Sequence, residues 1–403
     1  MTLTISRYRA ILALPLTTAV LLIGGCGGTS NATLNTLDGK PPAVVAHRGA
    51  GGVLPEETYE AYVKALDYGA DVIEPDIIST KDGVLIARHD PNLVYSTDVA
   101  THPEFASRKK TSSVDGESQT GWFASDFTLA EIKTLGGIST DAERAQQFNG
   151  LYKIVTLQEI IDLVKARAAT TGRQVAIYPE TKNPTYHRQL GLPLEEKLLA
   201  ILGNAGLNTP TAPVFVQSFE PGSLKLLRSL GAKMKLVQLI DADDVDLKTG
   251  NLTYAAPYDR PYDFAVRGDR RLFSDLVTPA GLAEIRTYAD GIGPWKRYIV
   301  SIKGKLGADG KVIDANGDGK VNDADANTLA PTTLVTDAHK ASLFVHPYTF
   351  RNEKRRLALD YNGDPKAEYK QFFALGVDGL FSDFADTALQ ARTEYLSEIG
   401  YRP

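Results

Sequence analysis

Four short clusters carry side chains that could do chemistry together: His47-Arg48-Gly49, Glu74-Pro75-Asp76, His89-Asp90 and Glu180-Thr181-Lys182. Residues two apart on a strand share a face, so Glu74 and Asp76 would point one way, as would Glu180 and Lys182. Three carboxylates converging on one point repel unless a divalent cation neutralises them. Hard oxygen ligands suit Ca²⁺, Mg²⁺ or Mn²⁺ rather than Zn²⁺. Arg48 and Lys182 offer positive charge to an anionic substrate, the arginine as a bidentate fork and the lysine as a point charge. Two histidines can move protons near neutral pH. A cation site, two fixed positive charges and two imidazoles are the parts for phosphoryl transfer to an oxygen nucleophile. Taken singly, a His-Arg pair is usually a solvated pair on the surface and a Glu-x-Asp a solvated strand end; their joint order at strand ends is what points to catalysis.

The elements that must position these clusters are short apolar runs: Val44–His47, Asp71–Ile77, Val175–Glu180, Pro213–Gln217, Lys235–Ile240, Gly291–Gly293, Leu343–His346 and Gly379–Phe381. They alternate with amphipathic stretches at Thr58–Tyr68, Thr156–Ala169, Leu194–Ala205 and Gly222–Leu230, and Thr156 with Glu159 makes a capping box. Eight strands alternating with helices predict a distorted TIM (β/α)8 barrel, an α/β fold whose active site lies at the strand C-terminal ends, where all four clusters fall. Val84–His89 does not fit the count. Its connection to Asp71–Ile77 is too short for a parallel crossover, so Glu74–His89 reads as a hairpin turning at Asp82-Gly83. A two-residue turn there pairs Lys81 with Val84 and sets Asp76 opposite His89. Long insertions are expected at about 92–152, as a cap over the mouth, and at 295–341. Trp295, which follows a strand, and His346, which ends one, are candidates for substrate contact. Gln217 and Glu220 read as supporting residues, and His102, His187 and His339 as ordinary surface residues.

With these residues in place, the chain resembles the glycerophosphodiester phosphodiesterase family over about residues 43–390. The likeness rests on the order His-Arg, Glu-x-Asp, His, and on Pro55-Glu56-Glu57-Thr58, Glu180-Thr181-Lys182, Gln217-Ser218-Phe219, Asp290-Gly291-Ile292-Gly293-Pro294, Val345-His346-Pro347-Tyr348 and Gly379-Leu380-Phe381-Ser382-Asp383. Gly-Ile-Gly-Pro and His-Pro-Tyr-Thr-Phe look like its periplasmic branch. The resemblance implies Glu74, Asp76 and Glu180 as ligands of an active-site Ca²⁺ or Mg²⁺, His47 and His89 as the acid/base pair, and Arg48 and Lys182 as phosphate contacts. Glu57 stands where the family usually has Asn, a difference expected to matter locally. The implied reaction is hydrolysis of a small glycerophosphodiester to sn-glycerol 3-phosphate and an alcohol. Lysophospholipase D or teichoic-acid-type phosphodiesterase activity, or a surface binding lipoprotein, are the rival readings.

Two further segments stand apart. Asp314-x-Asn316-x-Asp318-Gly319-Lys320 through Asn322 and Asp325 fits the EF-hand loop, with oxygens at loop positions one, three, five, nine and twelve and the Lys320 carbonyl at seven; it predicts a structural Ca²⁺. At the N-terminus, Arg7 and Arg9 precede an apolar stretch from Ile11 to Leu22, followed by Ile23-Gly24-Gly25-Cys26. This resembles a bacterial lipoprotein signal, with Cys26 as lipid acceptor. The expected organisation is a signal peptide over 1–25, a flexible tether over 26–40 and the barrel over 41–403. The expected location is the cell envelope, facing periplasm or cell surface, with membrane contact through the anchor only. Cys26 is the one cysteine in 403 residues, so the body needs no disulfide. A net charge of -5, without a long basic run, argues against a nucleic-acid partner.

Overall fold

In the computed structural model, residues 32–402 are described; the expected signal segment and Cys26 lie outside them. Eight parallel strand runs form a ring, giving a TIM-barrel-like α/β fold. Ala43–His47 lies between Gly379–Ser382 and Val72–Glu74. Pairing continues through Glu180–Thr181, Phe215–Ser218, Lys235–Ile240, Gly291–Pro294 and Phe344–Val345. Backbone bonds from Asp378 N to Val345 O (2.9 Å) and Phe381 N to Pro347 O (3.0 Å) close the ring.

The second and third barrel strands are each interrupted where a single run was expected. Val72–Glu74 and Asp76–Ser79 are separated by Pro75, and Ala176–Ile177 and Glu180–Thr181 by Tyr178-Pro179. Proline has no N–H to give the ladder. Its carbonyl still serves: Glu180 N donates to Pro75 O and Gln217 N to Pro179 O. The breaks fall beside Glu74, Asp76 and Glu180.

Val45, Val72, Tyr178, Val237 and Phe381 fill the barrel interior, while a larger apolar layer lies between the strands and the outer helices. Helix starts follow the sequence. Thr58 caps Tyr59–Tyr68, and Thr156 with Glu159 closes a capping box on Leu157–Thr171.

The hairpin register differs by one residue from expectation. Ile77 faces Ala87, Ile78 faces Ile86 and Ser79 faces Leu85, so Asp76 is opposite Arg88, whose N–H reaches Asp76 O at 2.8 Å. The turn has three residues, Lys81 to Gly83, closed by Thr80 N to Val84 O, with Gly83 at φ 79°. This is the three-residue hairpin geometry that puts glycine in the left-handed position. Lys81 N donates instead to Phe127 O, and Asp82 accepts from Leu129 N, so the inserted segment holds the turn open.

Residues 92–152 contain short 3₁₀ turns, the hairpin Lys110–Val114/Glu117–Gly121 and the helix Leu129–Ile132, around an apolar cluster shared with Ile78 and Ile86. Residues 295–341 carry a ribbon, Ile302–Gly304 with Ala326–Thr328, and the helix Leu334–Lys340. A third excursion, with the ribbon Asp244–Asp246/Asn251–Thr253 and the helix Tyr262–Arg267, has no clear sequence signal. In the 314–325 loop, Asp314, Asn316, Asp318 and Asp325 all accept backbone N–H groups of the loop itself, while the Lys320 N–H donates to Asp318. Within the stretch expected as a tether, Leu34 and Thr36 are buried and Leu37 N donates to Asp378, while residues 37–40 are exposed. Among the described residues no helix is long and apolar enough to cross a membrane.

Candidate active site

The barrel mouth opens into a cleft of about 590 Å³, lined among others by His47, Arg48, Glu74, His89, Glu180, Lys182 and Trp295. Asp76 lies beneath it, almost fully buried. The structure thus brings together the expected histidines, cations and carboxylates. Trp295 extends the strand Gly291–Pro294 and is half-buried at the cleft wall.

His47 and Arg48 are adjacent yet both serve the site, because the chain turns sharply between them. Arg48 has φ 55° and Gly49 φ 84°. A Cβ on Gly49 would lie 2.8 Å from a backbone atom of Ala61, so only glycine fits. Glu57 and Asn183 also hold left-handed φ values, at 61° and 47°. Such non-glycine conformations cost energy and gather at functional sites. Arg48 N donates to Glu74 at 2.9 Å; its side chain meets Asp76 through Nε at 2.9 Å and Glu56 at 3.0 Å. Burial works against its charge, but Glu56, Asp76 and Glu74 hold the guanidinium protonated.

His47 Nδ1 lies 2.6 Å from Asp383 Oδ1, both buried. The carboxylate keeps the proton on Nδ1 and leaves Nε2 free to accept another. Burial and the Arg48 charge lower the His47 pKa, against the pull of Asp383. Burial would raise the Asp383 pKa, but Arg351, His47 and Arg144 hold it well below the carboxylate range. His89 lies one residue past the hairpin ladder, a third exposed, with Nδ1 3.1 Å from Asp90.

The carboxylates are crowded. Glu57, Glu74 and Asp76 offer oxygens all within 4.8 Å of one another. Burial, then the neighbouring acids, raise Glu74 well above the usual range. Glu57 is raised likewise by burial and Asp76. Burial also pushes Glu180 up, to about 8, against its Lys182 partner at 2.9 Å. Asp76 alone is held low: burial opposes it, but Lys182, Arg48 and His89 keep it ionised. Oδ2 of Asp76 and Oε1 of Glu180 are buried and accept no well-directed hydrogen bond. A donor set of hard, buried, mutually repelling oxygens fits a divalent cation, which would relieve the repulsion. The tight group contains Glu57 where sequence reasoning had Glu180.

Several residues escaped that reasoning. Asp383 immediately follows the last strand, Gly379–Ser382, and the strand-end rule that found Glu74 could have found it. The supporting residue Gln217 donates from Nε2 to Glu74 at 2.9 Å, whereas Glu56, which binds Arg48 from a loop, and Arg351, which reaches Asp383 at 2.8 Å, were given no role. These have no periodic signature. His346 is buried against Tyr178, Phe215 and Phe344 inside the barrel rather than facing the cleft. His187 is not a surface residue: it is fully buried with both ring nitrogens unpartnered.

The chain matches the model of the glycerophosphoryl diester phosphodiesterase family over residues 47–387. It is 38% identical over 393 residues to glycerophosphodiester phosphodiesterase GDPD6 of Arabidopsis thaliana, covering 92% of this chain and 94% of that one. It is 30% identical to a glycerophosphodiester phosphodiesterase of Haemophilus influenzae, covering 94% and 97%. Among solved structures, a phosphodiesterase of Oleispira antarctica in complex with the product sn-glycerol-3-phosphate has a TM-score of 0.53 at 16% identity, covering 88% and 98%. The glycerophosphodiester phosphodiesterase of Agrobacterium tumefaciens has a TM-score of 0.50 at 17% identity, covering 87% and 99%. These structures share its fold; the family match and the two sequence relatives, which span nearly the whole chain, go further. The chain belongs to the glycerophosphoryl diester phosphodiesterase family and is an enzyme that hydrolyses glycerophosphodiesters.

Proposed function

We propose that this enzyme releases sn-glycerol 3-phosphate and an alcohol by histidine acid/base catalysis at a divalent metal site. The observation that carries the reading is one cleft lined by two histidines and two cations above buried, mutually repelling carboxylates. Glu74, Asp76 and Glu180 would hold the cation, with Glu57 alongside. Ca²⁺ or Mg²⁺ bound there supplies positive charge to a phosphoryl oxygen. Arg48 and Lys182 bind the remaining phosphate charge. His47, neutral and with its Nδ1 proton committed to Asp383, accepts the nucleophile's proton at Nε2. His89 donates to the leaving alkoxide, its ring oriented by Asp90, 3.1 Å from Nδ1. Trp295 packs against the organic part of the substrate. An sn-glycerol 3-phosphate product complex in a relative of the same fold supports the choice of product.

Three subsidiary readings accompany this one. The 314–325 loop binds a structural Ca²⁺, because its side-chain oxygens recur at the EF-hand positions. Cys26 carries the lipid that tethers the enzyme to the cell envelope, facing periplasm or cell surface. The chain is a single barrel domain with insertions at about 92–152 and 295–341.

Turnover of glycerophosphocholine, lysophosphatidylcholine and poly(glycerol phosphate) in defined metals tests the central reading. The first substrate should be preferred. His47→Ala and His89→Ala should each lose about 10²- to 10⁴-fold in kcat, with fold and bound metal retained. Near-normal turnover by either variant, or activity undiminished by chelation, overturns the mechanism.

A further inference from the structure

Residues 140–144, at the end of the first insertion, form no helix or strand, yet they touch the partners of both His47 and Arg48. Arg144 is buried, its side chain 7% exposed, and each of its nitrogens has an acceptor. Nη2 meets Asp383 Oδ2 at 2.5 Å, Nε meets Glu353 at 2.7 Å and Nη1 meets Gly51 O at 3.0 Å. The other oxygen of Asp383 is the one that holds His47. Four residues earlier, Thr140 Oγ1 donates to Glu56 Oε2 at 3.2 Å, and Glu56 Oε1 accepts from Arg48 at 3.0 Å. Arg355 grips the same stretch through Asp141 and Glu143, tying it to the loop that carries Arg351 and Glu353.

The geometry points to residues 140–144 as a positioning strap for the active site, with Arg144 fixing His47 through Asp383 and Thr140 fixing Arg48 through Glu56. The inference rests on the proposed roles of His47 and Arg48. Neither Arg144 nor Thr140 lines the cleft, so each acts through another side chain. Asp383 has two oxygens and three partners: His47 takes one, while Arg144 and Arg351 share the second. With both guanidiniums present the carboxylate is held from behind and cannot rotate away from the imidazole. Removing Arg144 leaves one guanidinium and lets the carboxylate turn, which misaims Nε2. Misplacement by about 1 Å can cost 10²-fold in rate. The Thr140 link is a single neutral-to-charged hydrogen bond to a residue behind the phosphate-binding arginine, so it bears on ground-state binding.

The two arms therefore make different kinetic predictions, which a merely structural role would not. Arg144→Gln should lower kcat about 10- to 100-fold with KM nearly unchanged. Arg144→Lys, which keeps a charge near Asp383, should fall between Gln and the parent. Thr140→Val should raise KM roughly fivefold with kcat retained, the worth of one net hydrogen bond. In an Asp383→Asn background, Arg144→Gln should cost little more, since both act on one imidazole. Parent-like kcat in Arg144→Gln, or an undiminished cost in the Asp383→Asn background, overturns the strap. If Arg144→Gln does not fold, Arg144→Lys decides: reduced kcat at constant KM supports the strap and a parent-like kcat overturns it. His47→Ala is measured alongside. If it is inactive while Arg144→Gln is normal, only the strap falls; if His47→Ala is active, the mechanism itself falls.

Discussion

His187 shows what burial does to a single titratable group. It sits in the short helix Pro184–Gln189, against Tyr186, with no partner for either nitrogen. Burial, aided by Lys197, lowers its pKa from 6.5 to about 3. His346 is lowered by burial to about 4. Both imidazoles are therefore neutral in the folded enzyme across the neutral range. The unfolded chain binds their protons from about pH 6.5 downward and the folded chain does not. Their contribution to stability is thus complete above pH 6.5 and is lost as pH falls toward about 4 for His346 and about 3 for His187. At pH 5, each proton taken up only by the unfolded state costs about 2 kcal/mol. His187→Phe should narrow the difference in Tm between pH 7.5 and pH 5, whatever it does to the absolute Tm. An unchanged difference in thermal unfolding at the two pH values would show that His187 is not held neutral by the fold.

At the scale of elements, turns and breaks matter more than regular structure. Pro75 and Pro179 interrupt two barrel strands beside the acidic residues, and the three-residue turn at Lys81 to Gly83 decides which side chain faces Asp76. Because Arg88 takes that place, its guanidinium donates to the carbonyls of Glu56, Glu57 and Ser96 and fixes the loop that carries Glu56 and Glu57. His89 is then delivered by the bend after the ladder. The 314–325 loop is a separate element with its own test. Its carboxylates already accept loop amides, leaving further oxygen lone pairs for a cation. Asp314→Ala with Asp318→Ala should lose one bound Ca²⁺ and lower Tm in calcium buffer, with turnover retained at moderate temperature. Calcium stoichiometry equal to that of the parent would remove the assignment.

For the molecule as a whole, the barrel is a frame and the insertions finish its mouth. The first insertion packs an apolar cluster around Phe105, Trp122 and Phe127 onto Ile78 and Ile86 of the hairpin, so it is a folded part rather than a loose lid. Arg144 and Arg355 join it to the segment before the last strand. At the other end, Leu37 N donates to Asp378. The proposed lipid acceptor, Cys26, has its own test. Cys26→Ser should move the enzyme from the membrane to the soluble fraction on cell fractionation, with specific activity on glycerophosphocholine unchanged. A variant still membrane-bound would remove the anchor.

The eight strand runs, the main helix starts and the four clusters at strand ends are legible in the sequence, because these are local: apolar periodicity, capping oxygens and chain order suffice. The family is legible there too, since His47, Arg48, Glu74, Asp76, His89 and Glu180 stand in a specific order. Only the tertiary structure decided the hairpin register, because Phe127 and Leu129, distant in the chain, draw Lys81 and Asp82 away from a two-residue turn. It alone joined Asp383 to His47, 336 positions apart, and brought Glu57 against Glu74 and Asp76. It alone buried His187, which nothing in the neighbouring residues marks as interior. Such pairings depend on how the ring closes and how the insertions fold over it, and no local pattern encodes a contact across the barrel.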